Sequence, residues 1–112
     1  MREHDRIRLR HMLDEAHEAI SFAHGRTRAD LDSDRMLALS LVKAIEIVGE
    51  AASQVSEATR ARLPDVPWAD IAGMRNRLVH AYFDINLEIA WQTVGQDLPP
   101  LVAALERALA DE

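Results

Sequence analysis

No cysteine occurs among the 112 residues, which excludes disulfide scaffolds, thiolate zinc sites and cysteine nucleophiles. Aromatic side chains are scarce (two Trp, one Tyr, two Phe), and glycine and proline number four each. That composition suits helices and is a poor recipe for an all-β sandwich. Positive charge is in deficit, with 13 basic against 19 acidic residues and a net charge of −6. Coating nucleic acid by bulk charge is therefore excluded, while a local basic site is not. Lysine is nearly missing too. All basic residues except Lys43 are arginine, whose planar fork matches phosphate oxygens. No run approaches the roughly 18 uninterrupted apolar residues of a membrane span. The longest apolar region, Met36 to Ala52, is broken by Ser40, Lys43, Glu46 and Glu50. The N-terminal stretch lacks the apolar core of a signal peptide, so a cytoplasmic protein is expected.

The length fits a single domain spanning residues 1–112, large enough for one hydrophobic core without staples. Apolar periodicity predicts four main helices. The first runs from about Glu3 to His24, with Ile7, Met12, Leu13, Ala16, Ile20 and Ala23 inward and Gly25 as its stop. The second starts at a cap among Asp32 to Asp34 and continues to about Val55. Its stripe of Ala38, Leu41, Val42, Ile45, Val48, Gly49 and Ala52 faces the core. Close approach of another helix would explain Gly49. Ser56 to Arg62 adds a short helical turn. Pro67 suits the first position of a third helix from Trp68 to about His80. Asp84-Ile85-Asn86 reads as a turn, with Asn86 capping a fourth helix from Leu87 to about Ala110 that kinks at Pro99 and Pro100. The expected fold is all-α, an antiparallel up-and-down four-helix bundle.

The segment Arg75-Asn76-Arg77-Leu78-Val79-His80-Ala81-Tyr82 is the densest polar cluster in the chain. Asn76 and His80 share a helical face, whereas Arg75 and His80 diverge by about 140° on an ideal helix. Arg75 and His80 converge only if the helix ends between them or two subunits bring their copies together. Histidine titrates near neutrality and moves protons at physiological pH. Arginine is a permanent cation suited to phosphate. The set fits cleavage of an RNA phosphodiester by its own 2′-hydroxyl, with one base, one acid and one cation, and that chemistry needs no metal and no cofactor. One histidine per chain is short of a two-proton mechanism, and a symmetric dimer supplies two. The bland alternative is that arginine, asparagine and histidine simply cap a helix end.

From Pro67 to Leu101 the sequence, PWADIAGMRNRLVHAYFDINLEIAWQTVGQDLPPL, resembles the HepT-like ribonucleases of the HEPN superfamily. So do the Ala44–Ala52 stretch and the opening segments, Arg6 to Leu13 and Asp30 to Leu37. The likeness therefore covers nearly the whole chain. It implies a toxin of HepT/MntA-type toxin–antitoxin pairs, active as a homodimer on RNA with the two signatures meeting at a shared cleft. The family's catalytic arginine falls on Arg75, its catalytic histidine on His80, and the supporting polar residue on Asn76. The tyrosine that an MntA-like nucleotidyltransferase antitoxin modifies with AMP falls on Tyr82. An attached nucleotide there would add bulk and negative charge where RNA must approach.

Other groups carry weaker signals. His4, His11, His17 and His24 lie at spacings of seven, six and seven, with no i, i+4 pair, so no metal site is expected from them. Glu46 and Glu50 share a helix face and read as a solvated or dimer-facing edge. Arg60, Arg62 and Arg77 are candidates to extend an RNA-binding surface. Two other classes of function compete with the nuclease. One is a non-catalytic helical module that partners or presents substrate to a nucleotidyltransferase; the other is a purely structural dimer.

Overall fold

The computed structural model describes residues 1–81 and 84–111, with the side chains of Val79, His80 and Ala81 outside that description. It is mostly helical. Helix α1 covers Glu3–Ala23, α2 Asp30–Ser33, α3 Arg35–Ser53, α4 Glu57–Arg62 and α5 Trp68–Leu78. Two short strands follow, β1 (Val79–Ala81) and β2 (Asp84–Ile85), then α6 (Leu87–Gln92), a π-helical turn (Thr93–Asp97) and α7 (Leu98–Ala110). No described helix is long and apolar enough to cross a membrane.

The helix ends follow from local chemistry. Gly25 adopts φ +73° just past the cap of α1, a left-handed conformation that glycine takes without penalty. Asp34 caps α3, its side chain accepting the Leu37 N–H at 3.0 Å. Asn86 caps α6 by accepting the Ile89 N–H at 3.0 Å. The Pro67 carbonyl accepts from the Ile71 N–H at 3.0 Å, so Pro67 sits just before the first position of α5 rather than in it.

Helix α1 packs on α3 and α7, and α3 packs on α5. Neighbours run antiparallel. His4 near the start of α1 meets the Gln54 carbonyl oxygen at 3.1 Å, just past the end of α3. Glu46 of α3 reaches Arg75 near the end of α5. A Cβ on Gly49 would meet the Ile71 carbonyl at 3.6 Å. Helix α5 does come close there, but at ordinary contact distance. The fully buried side chains include Leu9, Met12, Leu41, Ile45, Ile71, Leu78 and Leu105.

Four expectations change. Ile7 is 45% exposed, and Leu9 takes the core position on that part of α1. The third helix stops at Leu78 instead of His80, because the chain there enters an antiparallel pair with Val79 opposite Ile85. The segment expected as a turn, Asp84-Ile85, is the second strand of that pair. The irregularity in the last helix falls at the π turn, one step before the prolines. The Leu98 N–H reaches back to the Thr93 carbonyl, and Pro99 and Pro100 occupy the opening positions of α7. A wider turn relieves the clash between proline rings and the preceding carbonyls.

Candidate active site

The last turn of α5 carries three polar side chains in a row, Arg75, Asn76 and Arg77, all exposed. Arg75 has 55% of its side chain in solvent, and its Nε lies 3.8 Å from Glu46 Oε1, which is 32% exposed. That contact is loose and wet, worth at most about 1 kcal/mol. It steers the guanidinium without consuming its donors. Position adds a second influence, since the C-terminal turn of a helix favours a cation.

Arg77 goes elsewhere. Two residues correspond to about 200° of helix rotation, so it leaves α5 on the side away from Arg75. Its Nη2 donates to the Asp70 carbonyl at 3.2 Å, which folds the side chain back along the helix. The structure therefore separates the two arginines that the sequence placed together. It brings Arg75 to Glu46, a partner on α3 that spacing alone did not tie to it. Glu50, one turn further on, lines a different surface with Arg8 and His11.

The backbone of His80 belongs to β1, two residues past the end of α5. Its imidazole lies outside the described side chains, and Tyr82 lies outside the described residues. What is described is the helix end between Arg75 and His80, one of the two conditions under which those side chains can converge.

Arg60 is spent on the fold. Its Nε donates to the Val55 carbonyl at 3.1 Å, and its Nη2 donates to those of Ala52 at 3.1 Å and Ser53 at 3.3 Å. These cap the end of α3, and the guanidinium stacks 5.7 Å from the centre of the Trp68 ring. An arginine so engaged has little left for RNA.

A further polar site went unforeseen. Asp5 is only 1% exposed. It accepts hydrogen bonds from the Ser56 N–H at 2.9 Å, the Ser56 hydroxyl at 2.7 Å and the Thr59 hydroxyl at 2.6 Å. Burial pushes its pKa up, but the Thr59 and Ser56 hydrogen bonds together outweigh this and bring it down to about 2. Asp5 thus pins the start of α4 to α1 and has no part in the candidate site. Among the described residues no group of three His, Asp or Glu side chains is placed to hold a metal ion.

The profile of the HepT-like ribonuclease family matches residues 12–108, which takes in Glu46, the whole of α5 and the β1–β2 pair. The chain belongs to the HepT-like ribonuclease family. Its enzymatic class is that of an endoribonuclease. Curated relatives agree. A protein of Caldanaerobacter subterraneus subsp. tengcongensis, named as an RNase, is 35% identical over 93% of each chain. One from Thermococcus cleftensis, named probable ribonuclease HepT, is 32% identical over 85% of this chain and 90% of its own. One from Methanocaldococcus jannaschii, also named as an RNase, is 31% identical over 85% and 87%. No solved structure matches the chain.

Proposed function

We propose that this HepT-like ribonuclease is the toxin of a HepT/MntA-type toxin–antitoxin pair. In this reading it is a metal-independent endoribonuclease whose reaction is carried by Arg75 and His80, and it is silenced by AMPylation of Tyr82. The observation that supports this most is the placement of Arg75. It is an exposed cation in the last turn of a helix that stops at Leu78. An unbroken helix would swing His80 about 140° away from it; the strand removes that constraint.

The reaction follows from the residue types. A neutral His80 takes the proton of the ribose 2′-hydroxyl, and the 2′-oxygen attacks the adjacent phosphorus. The bond from phosphorus to the 5′ oxygen breaks, and a protonated imidazole supplies the proton to that leaving oxygen. The products are a 2′,3′-cyclic phosphate and a free 5′-hydroxyl. Arg75 stabilises the charge that builds on the phosphoryl oxygens, and Asn76 supports the site beside it. Two imidazoles are needed for one turnover, so the active species is a homodimer that brings together two copies of the signature. In this reading it acts in the cytoplasm.

Silencing acts at Tyr82. An MntA-like nucleotidyltransferase transfers AMP from ATP to the phenol oxygen and releases pyrophosphate. The added phosphate and base stand two residues from His80, where RNA must approach, and repel it.

The deciding experiment is growth on induction of the lone chain, compared with Arg75→Ala and His80→Ala made to the same level. Arrest by the wild type alone, with RNA fragments ending in 2′,3′-cyclic phosphate, supports the nuclease toxin. Co-expression of the antitoxin should relieve arrest by the wild type and fail to relieve arrest by Tyr82→Phe. Equal growth with all three well-folded chains overturns it in favour of a non-catalytic module that presents substrate to a nucleotidyltransferase.

A further inference from the structure

A cleft of about 250 Å³ opens between α5 and the segment formed by the π turn and the start of α7. Its polar lining is Asp70 and Arg77 from α5, with Gln96 and Asp97 from the π turn; Met74 and Pro100 contribute apolar surface. Extra-wide helical turns of this kind recur at functional sites, and here the turn delivers two polar side chains to one opening. The volume is below the roughly 300–1,000 Å³ of pockets for drug-sized ligands, so the cleft fits one planar base rather than a length of strand.

The polar groups across the cleft are not consumed by one another. Among the described residues, Arg77 makes a single hydrogen bond, to the Asp70 backbone oxygen, and no ion pair with either carboxylate. Gly73 sets this arrangement. A Cβ at that position would stand 3.2 Å from Arg77 Nη1, closer than a relaxed contact. The glycine lets the guanidinium lie back against the helix and face the opening.

From this lining the geometry points to a recognition pocket for a guanine base carried by RNA. The inference rests on the ribonuclease reading and names a base that the enzyme selects at a fixed offset from its cut. Two carboxylates repel a phosphate, which leaves the base as the ligand. Guanine has two neighbouring acceptors, O6 and N7, that an arginine fork takes together. On its adjoining Watson–Crick edge it has two neighbouring donors, N1–H and the 2-amino group, that a carboxylate accepts together. Adenine, cytosine and uracil each lack the paired donor edge. Single-stranded RNA is read on these edges once a base is splayed out of the stack.

The test begins with binding, on the His80→Ala chain, so that it is independent of cleavage. Guanosine, adenosine, cytidine and uridine 5′-monophosphates are titrated at millimolar concentration, following the Met74 methyl and the Gln96 side-chain amide by NMR. Guanosine monophosphate should bind about tenfold more tightly than the others, and Arg77→Ala or Asp97→Asn should each remove about tenfold of that affinity. Gly73→Ala, which changes no polar group and suits a helix, should weaken guanosine monophosphate by a few-fold through displacement of Arg77. Equal affinity for all four nucleotides, or shifts that bypass Met74 and Gln96, overturns the pocket. The second arm sequences the RNA ends cut by the wild type. Guanine enriched at one fixed offset from the cut, and lost in Asp97→Asn, supports the assignment to RNA. Guanosine monophosphate binding without such enrichment overturns it in favour of a free guanine nucleotide. Absence of cleavage by every chain counts against the nuclease reading and leaves the binding result standing.

Discussion

The corner where α3 hands over to α4 and the last turn of α5 are both rich in polar side chains, and they treat them oppositely. At the corner, Asp5 is sealed from solvent and accepts three hydrogen bonds, and Arg60 donates to three carbonyls while stacking on Trp68. At the end of α5, among the described residues, Arg75 has one loose carboxylate at 3.8 Å and Arg77 has one carbonyl. The same residue type is therefore a structural bolt in one place and a set of open donors in the other. Saturation, rather than charge or sequence neighbourhood, tells the two apart.

Substitution should separate the two regions cleanly. Arg75→Ala is expected to lower RNA cleavage by about 10²–10³-fold, the usual loss when a positioned transition-state donor is removed. Its unfolding free energy should stay within about 0.5 kcal/mol of the wild type, because the Glu46 contact is exposed. A large stability loss on chemical denaturation would break the contrast. Asp5→Ala should do the reverse. It leaves the Ser56 N–H and the buried Thr59 hydroxyl without their acceptor, at a cost of about 2–4 kcal/mol, while cleavage per folded molecule is kept. The acid limb of stability tests the same carboxylate. Its folded pKa, about 2, lies below the ordinary 3.8, so its contribution is complete above about pH 4 and is lost as pH falls toward 2. Asp5→Asn should flatten that part of the profile.

Arg60→Ala sits lower on the scale. Loss of the carbonyl caps and the aromatic contact should cost about 1–2 kcal/mol, read as a shifted urea midpoint with cleavage unchanged. Gly49→Ala should be the mildest, a gain of up to about 1 kcal/mol. The Ile71 carbonyl, 3.6 Å from the new Cβ, gives ordinary contact and no clash. A loss there would mean that α5 packs more tightly than its backbone position indicates.

Much of the fold was legible because it is local. The first helix ends at Ala23, within one residue of the expected end, and Asp34 and Asn86 cap where short polar side chains precede apolar periodicity. What escaped is tertiary. Asp5 looks like any acid in a charged N-terminal stretch, and its partners lie 51 and 54 residues away. Without knowing that an acid takes a core position, Ile7 is the natural candidate for the inward face. Arg60 looked like a free cation because its acceptors are backbone carbonyls at the end of another helix. At the candidate site, sequence spacing set Arg75 and Arg77 side by side; two residues of helix turn them to opposite flanks. The halt of α5 at Leu78 was beyond propensity, since it comes from strand pairing with residues further along the chain.

That halt has a mechanical meaning. The Asn86 N–H donates to the Leu78 carbonyl at 2.8 Å, and the Asn86 side chain begins the next helix. The chain on either side of the segment that carries His80 and Tyr82 is thus clasped to itself at Leu78 and Asn86, on a finished frame of helices. The frame's buried leucines end at the clasp and resume beyond it. Under the proposed silencing, the chemical change falls between these two clasped ends and not on the core helices, so a silenced molecule should be as durable as an active one. A melting curve would then report the frame and pass over the modification; only a readout at Tyr82 itself would distinguish the two proposed states.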